Sequence, residues 1–243
     1  MYNLDKPDKY YLGEKDENLT LDVKGFGVSI DCVIFGYENE KLKVLLIERG
    51  MEPHKDQWAL PGDLVSPNEA LRSAANRILT SLTSLQDIYL EQFFTFGGLD
   101  RHPAGRVITV GYYSLVNSHN YEPIASSWAK RTEWIDIDQI PQLAFDHTEI
   151  FEKAWNTLKH KVRHEPLLFE LLPKKFTLLE LQSLYEAILG EQFDKPNFRK
   201  KVLSTKFLMK LDEVQSNVSH RPAKLYQFDI EKYNASDTKA FNV

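Results

Sequence analysis

No stretch constrains this chain more than the one from Trp58 to Leu82. Leu71, Ala74, Ala75, Ile78, Leu79 and Leu82 recur at the three- and four-residue spacing that lines one face of an α-helix. Ser66-Pro67-Asn68-Glu69 reads as the start of that helix, with Ser66 as cap, Pro67 at the first helical position and Glu69 closing a capping box. Trp58-Ala-Leu-Pro-Gly62 precedes it, after a polar loop. Upstream, Gly27 to Tyr37 and Lys41 to Glu48 are apolar runs rich in β-branched residues, and the short polar stretch Glu38-Asn39-Glu40 between them predicts a hairpin. Asp87 to Phe96, Arg106 to Val116 and Glu133 to Asp136 predict further strands.

The pattern turns helical from His147 to His164, where Ile150, Phe151, Ala154, Leu158 and Val162 form one stripe. A domain boundary is expected between Arg163 and Pro173. Thr177 and Glu180 then make a second capping box, Leu181, Leu184, Tyr185 and Ile188 carry the apolar face, and Gly190 ends the helix. After a short connection from Glu191 to Lys195, Pro196 opens another helix, running to Ser204. Its apolar side is Phe198, Val202 and Leu203; its other side offers Asn197, Arg199, Lys200 and Lys201. Two short helices joined by a tight turn, the second one basic, fit a helix-turn-helix. Phe207 to Leu211 and Lys224 to Phe228 flank a polar stretch and predict a two-stranded wing with a basic tip. Asn197 and Arg199 are placed to read base edges, and Lys200 and Lys201 to reach phosphates. Lys195, His220, Arg221 and Lys224 complete the expected DNA-contact set. The competing reading is a protein-binding appendage with ordinary solvated lysines, which would show no salt-dependent DNA binding.

Charge divides the chain the same way. Residues 1–150 hold 14 Lys+Arg against 23 Asp+Glu, while residues 151–243 hold 16 against 12. An acidic front and a basic back suit two domains with different partners, the basic one compatible with a polyanion. Residues 1–24 read as a polar lead-in without secretory character. No apolar run is long enough to cross a bilayer. The single cysteine, Cys32, lies in an apolar stretch and reads as a buried thiol in a reducing cytoplasm. No Cys/His cluster has zinc-site spacing, and neither a metal nor another cofactor is expected.

Trp58-Ala-Leu-Pro-Gly62, Glu69, Ala74-Ala75, Arg77 and Leu79 resemble the Nudix box, G-x5-E-x7-R-E-U-x-E-E-x-G-U. Aligning Glu69 and Arg77 puts Asp63 at the leading glycine, Ile78 at the first glutamate after the arginine, Ser81 and Leu82 at the paired glutamates, and Ser84 at the last glycine. Nudix hydrolases use those glutamates to hold magnesium, which needs oxygen ligands. An isoleucine, a serine and a leucine supply no such site, so no catalytic residue is assigned and a pyrophosphohydrolase is the rejected rival. Phe96-Gly-Gly-Leu-Asp-Arg101-His-Pro-Ala-Gly-Arg106-Val, Leu143-Ala-Phe-Asp-His147 and the segments from Leu171 and Leu181, with Asn197-Phe-Arg-Lys200, extend the resemblance to Nudix-related transcriptional regulators of the NrtR type, and within them to the arabinose-responsive AraR branch.

This resemblance implies an α+β chain: a degenerate Nudix-like α/β/α sandwich with a mixed sheet at 25–163, and a winged helix-turn-helix at 164–243. It implies a homodimer on a palindromic operator, released or recruited by a small effector in the Nudix cavity. Asp31, Arg49, Trp58, Arg77, Asp100 and Arg106 are the expected effector contacts. The effector is read as L-arabinose or a related sugar, making the protein a repressor of sugar-utilisation genes. ADP-ribose, in a regulator of NAD metabolism, is the alternative, and the acidic front half weighs against so anionic a ligand.

Overall fold

The computed structural model describes residues 26–38, 41–216 and 221–236. The expected lead-in at 1–24, two residues of the hairpin turn and His220 at the wing tip lie outside them.

A mixed sheet forms the first layer. β1 (Gly27–Glu38) and β2 (Lys41–Arg49) pair antiparallel as the hairpin, with Glu38 opposite Lys41. β6 (Val107–Asn117) runs parallel to β1 over eleven residue pairs, from Gly27 with Val107 to Tyr37 with Asn117. Short β3 (Trp58–Ala59) and β7 (Ala129–Asp136) pair with β2, β4 (Gly62–Leu64) with β1, and β5 (Glu91–Phe96) with β6. The strand expected from Asp87 begins only at Glu91, because Asp87 adopts a left-handed backbone (φ 57°) that breaks extension.

β1 is apolar without alternation because both its faces are covered. Ile30, Cys32 and Ile34 pack beneath helix α1 (Leu71–Thr83), together with Ala74, Ala75, Ile78, Leu79 and Leu82. Val33, Phe35 and Tyr37 face the other way, onto α2 (His147–Lys161). The sandwich is thus α1, sheet, α2. The expected capping box at Ser66 does not open α1. The helix starts at Leu71 after Ala70, without a side-chain cap, and Ser66–Glu69 forms a separate turn in which the Ser66 amide donates to the Glu69 carboxylate (3.3 Å). Glu69 turns instead to Arg77.

The second module follows a 3-10 turn at Leu167–Glu170. α3 (Leu178–Leu189) has the Thr177/Glu180 capping box and stops at left-handed Gly190 (φ 69°). α4 (Lys195–Ser204) is capped by Asp194, whose carboxylate accepts from the Asn197 amide (3.0 Å), with Pro196 in its first turn. β8 (Leu208–Val214) and β9 (Lys224–Phe228) form the antiparallel wing, and α5 (Ile230–Ala235) closes the described chain. The two modules share one core. Leu168, Leu171, Leu181, Tyr185 and Ile188 are continuous with Val44 and Leu46 of β2 and with Ile150, Ala154, Leu158 and Val162. Among the described residues no helix is long and apolar enough to cross a membrane.

Candidate functional site

On the α2 face, Ser29 and Asp31 of β1 and Val107 and Thr109 of β6 point the same way, because residues two apart share a face of a strand. Arg49 at the end of β2, loop residues Met51, Pro53, Arg101, His102 and Trp128, and Phe145 and His147 at the start of α2 close a pocket of about 210 Å³ around them. A larger cavity of about 840 Å³ lies between β5, β6 and the Leu167–Glu170 turn; its charged lining is Asp87, Glu91 and Glu170 with Lys174, and among the described residues no arginine lines it.

Asp31 is the centre of the smaller pocket. It is 5% exposed, and burial pushes its carboxyl up to about 7 against the pull of Arg101 and the Thr109 hydroxyl. Gly62 lies so close that a Cβ there would stand 1.8 Å from Asp31 Oδ1 and 2.9 Å from the Ile30 carbonyl. The motif glycine is therefore fixed by space rather than by backbone angle. His147 accepts the Leu60 amide on Nδ1 (3.0 Å), so Nε2 carries the proton and lies 3.4 Å from Asp31 Oδ1. Burial lowers its imidazole to about 3, so it is neutral and its approach to Asp31 is not an ion pair.

Two arginines give the wall its positive charge. Arg101 donates Nε and Nη2 to the two oxygens of Asp146 (2.7 Å each) and Nη1 to Thr109 (2.5 Å), with Asp31 4.0 Å away. Arg49 donates Nε to the Pro53 carbonyl (2.8 Å), and its guanidinium lies 4.8 Å from the Trp128 ring and 4.9 Å from the Phe145 ring. A guanidinium between two aromatic faces is held by cation–π attraction while its edge stays available to an acceptor. Phe145 also stacks on His102 (5.1 Å, 10°) and holds a left-handed backbone (φ 52°) that a phenylalanine adopts only under constraint.

Of the six effector contacts expected from the sequence, the structure brings Asp31 and Arg49 into this pocket. Trp58 is elsewhere: it packs into the core under the Arg131 guanidinium (4.7 Å). Arg77 is spent on Glu69, with Nε and Nη2 each 2.8 Å from a carboxylate oxygen and Nη2 also on the Leu64 carbonyl (3.0 Å). Arg106 folds back onto the carbonyls of Gly97 (2.7 Å) and Gly98 (2.5 Å), and Asp100 is exposed outside the pocket. Arg101, His102, Thr109, Trp128, Phe145 and His147 line the pocket beside Asp31 and Arg49. Ile78 and Leu82, which the sequence alignment puts opposite Nudix glutamates, are fully buried against the sheet.

On the second module, Phe198 and Val202 bury α4 against α3, with the Phe198 ring 5.7 Å from Tyr185. Lys195, Asn197, Arg199, Lys200 and Lys201 are all exposed on its outer side, and Arg221 and Lys224 on the wing. Lys210 sits beside Lys224 and pushes that ammonium down, so the wing holds two like charges together.

A family model described as the NUDIX domain matches residues 25–154, and one described as the NrtR DNA-binding winged helix domain matches residues 168–228. The "ADPR responsive transcriptional repressor NtrR" of Acinetobacter baylyi is 35% identical over 212 residues, spanning 85% of this chain and 84% of its own. Shewanella oneidensis NrtR complexed with a 27mer DNA superposes with a TM-score of 0.72 at 30% identity, over 83% of this chain and 93% of that one. The NUDIX domain of the same protein complexed with ADP ribose does so at 0.52 and 31%, over 56% of this chain and 90% of that one. These likenesses are to NrtR proteins and do not single out the arabinose-responsive branch. With both modules matched in order and a relative aligned along most of its length, the chain belongs to the NrtR-type regulators, a Nudix domain joined to a DNA-binding winged helix.

Proposed function

We propose that this protein is an ADP-ribose-responsive transcriptional repressor that binds operator DNA through α4 and its wing and does not hydrolyse its effector. One observation carries the reading: a relative named as an ADPR-responsive repressor aligns with both modules, not with one alone. The pocket chemistry supports it. Arg49 offers a guanidinium edge to a diphosphate, Arg101 adds positive charge to the wall, Trp128 and Phe145 offer ring faces, and Asp31, raised to about 7, carries only part of a charge at neutral pH. The acidic net charge of the front half is thus a poor guide, because the pocket wall, not the average surface, meets the ligand. At about 210 Å³ the pocket is below the ~300–1,000 Å³ of common ligand clefts. It suits a diphosphate with one sugar, the rest of the ligand extending over exposed Met51 and Leu64 at the rim. Of the two effectors expected from the sequence, ADP-ribose therefore replaces the sugar.

Two copies on a palindromic operator would place their recognition helices about 34–36 Å apart, one turn of DNA. The absence of hydrolysis rests on Ile78, Ser81 and Leu82, which put apolar or neutral groups where a Nudix helix needs carboxylates. Fluorescence anisotropy with the promoter region upstream of the protein's own operon tests the whole reading. Specific binding is expected, weakened by ADP-ribose and unmoved by L-arabinose. Response to arabinose alone would restore the sugar reading, and no specific binding at low salt would reject the regulator.

A further inference from the structure

Asp146 stands at the N-cap position of α2 yet caps nothing: its backbone (φ −94°, ψ 21°) is not the extended cap geometry, and its carboxylate makes no bond to the first turn. Both of its oxygens are instead held by Arg101, at 2.7 Å each, and that guanidinium lines the effector pocket. The Ile150 amide bonds to the Asp146 carbonyl, while Thr148 and Glu149 at the head of the helix are exposed. One carboxylate thus has two competing employments: the arginine in the pocket wall, and the open N–H groups of α2, which Asp satisfies well at a helix start.

α2 is also the element that joins the modules. Ile150, Ala154, Leu158 and Val162 are fully buried in the same core as Leu168, Leu171, Tyr185 and Ile188 of the DNA-binding module. Close-packed interiors transmit a displacement instead of absorbing it. The residue before Asp146 is Phe145, left-handed at φ 52° and stacked among the pocket's rings, so the backbone entering α2 is held in a conformation that relaxation would change.

We propose that the Arg101–Asp146 pair is the latch through which effector binding reaches the DNA-binding module. An incoming phosphate takes the Arg101 guanidinium, Asp146 is released to cap α2, and the helix shifts with the winged helix packed on it. This rests on the ADP-ribose reading above and adds the residues that convert binding into release. A phosphate and a carboxylate compete for one bidentate fork because both match its geometry. The unliganded form keeps Asp146 on Arg101; the liganded form keeps it on the helix.

Asp146→Asn tests this, since asparagine caps a helix well but lacks the charge that holds the fork. Without effector, D146N is expected to bind operator DNA at least about fivefold more weakly than wild type, near the affinity of wild type saturated with ADP-ribose. By reciprocity its Kd for ADP-ribose, measured by titration calorimetry, should tighten by a similar factor. Hydrogen exchange on the unmodified protein gives a second reading that needs no variant. The amides of Thr148 and Glu149 should gain protection when ADP-ribose is added. D146N with wild-type operator affinity and the wild-type response to ADP-ribose would overturn the latch alone, as would unchanged exchange at those amides. An unmodified protein whose operator affinity ignores ADP-ribose would overturn the functional reading and the latch with it.

Discussion

His147 Nε2 lies 3.4 Å from Asp31 Oδ1, with its other nitrogen fixed by the Leu60 amide. The two groups are displaced in opposite directions by the same burial: Asp31 up to about 7, His147 down to about 3. Between about pH 4 and pH 7 the folded state therefore binds more protons at Asp31 than the unfolded chain does, and stability from that group falls as pH rises. At His147 the unfolded chain binds more protons from pH 6.5 down to about 3, and stability falls as pH drops. The slopes oppose each other. Asp31→Asn removes one of them, so the variant should be more stable than wild type at pH 8, by up to about 4 kcal/mol. That advantage should shrink as pH falls toward 4, where wild-type Asp31 is already protonated. Urea unfolding at pH 5 and pH 8 measures it; an equal difference at both would mean that Asp31 does not titrate between them.

Gly62 makes that carboxylate possible. A methyl group 1.8 Å from Asp31 Oδ1 has to push the side chain aside, and the Ile30 carbonyl at 2.9 Å blocks retreat of the backbone. Gly62→Ala should lose about 1–3 kcal/mol of stability, the scale of overpacking in a core. It should also weaken ADP-ribose binding in calorimetry. The penalty should drop when Asp31 is also truncated to alanine, because the nearest clash is gone. Additive losses would show that the glycine acts elsewhere than on Asp31.

The parts of the molecule that follow periodicity were legible in the sequence. The β1–β2 hairpin, the α1 stripe, the Thr177/Glu180 box, the Gly190 stop and the paired wing strands all report a local pattern of burial or backbone angle, and the structure has each of them. The start of α1 was not legible: Ser66 and Glu69 have the right spacing, but the carboxylate is taken by Arg77, eight residues on. The pocket was half legible. The segments holding Arg101, His102, Phe145 and His147 stood out as motifs, yet Asp100 and Arg106 drew the assignment. Nothing local distinguishes an arginine that reaches into a pocket from one that braces its own loop. That choice is made by the pairing of β1 with β6 and by Asp146, 45 residues away from Arg101.

The proposed placement of Ile78 and Leu82 where Nudix hydrolases carry glutamates can be tested by installing carboxylates on this helix. Both are fully buried on the sheet side of α1, whereas Ser81 is only partly buried, its hydroxyl on the Ile78 carbonyl (3.0 Å). Ile78→Glu places a charge among Ile30, Ile34 and Ala75 and should cost more than about 4 kcal/mol, while Ser81→Glu should cost about 1 kcal/mol or less. Neither should hydrolyse ADP-ribose with magnesium. Thermal melts and chromatographic detection of AMP and ribose 5-phosphate check both. A well-folded Ile78→Glu protein with turnover would show that this helix retains a latent metal face.

The outer side of α4 separates affinity from specificity. Lys200 and Lys201 are exposed next to Arg199, while Phe198 and Val202 anchor the helix from behind, so substitutions on the outer side leave the core intact. Neutralising both lysines to alanine should weaken operator and random DNA alike and flatten the logarithmic salt dependence by about 2 per protomer, since each phosphate contact contributes about 0.9. Arg199→Ala should instead cost about 1–3 kcal/mol on the operator and little on random DNA, the signature of a bidentate contact to a base edge. Lys224→Ala on the wing belongs with the lysine pair, because Lys210 on the neighbouring strand makes the wing a patch of charge with no fork to read a base. Anisotropy titrations on both DNAs at three salt concentrations measure all of these. If Arg199→Ala loses equally on operator and random DNA, its role is that of a phosphate contact, and Asn197 in the first turn becomes the residue that reads sequence.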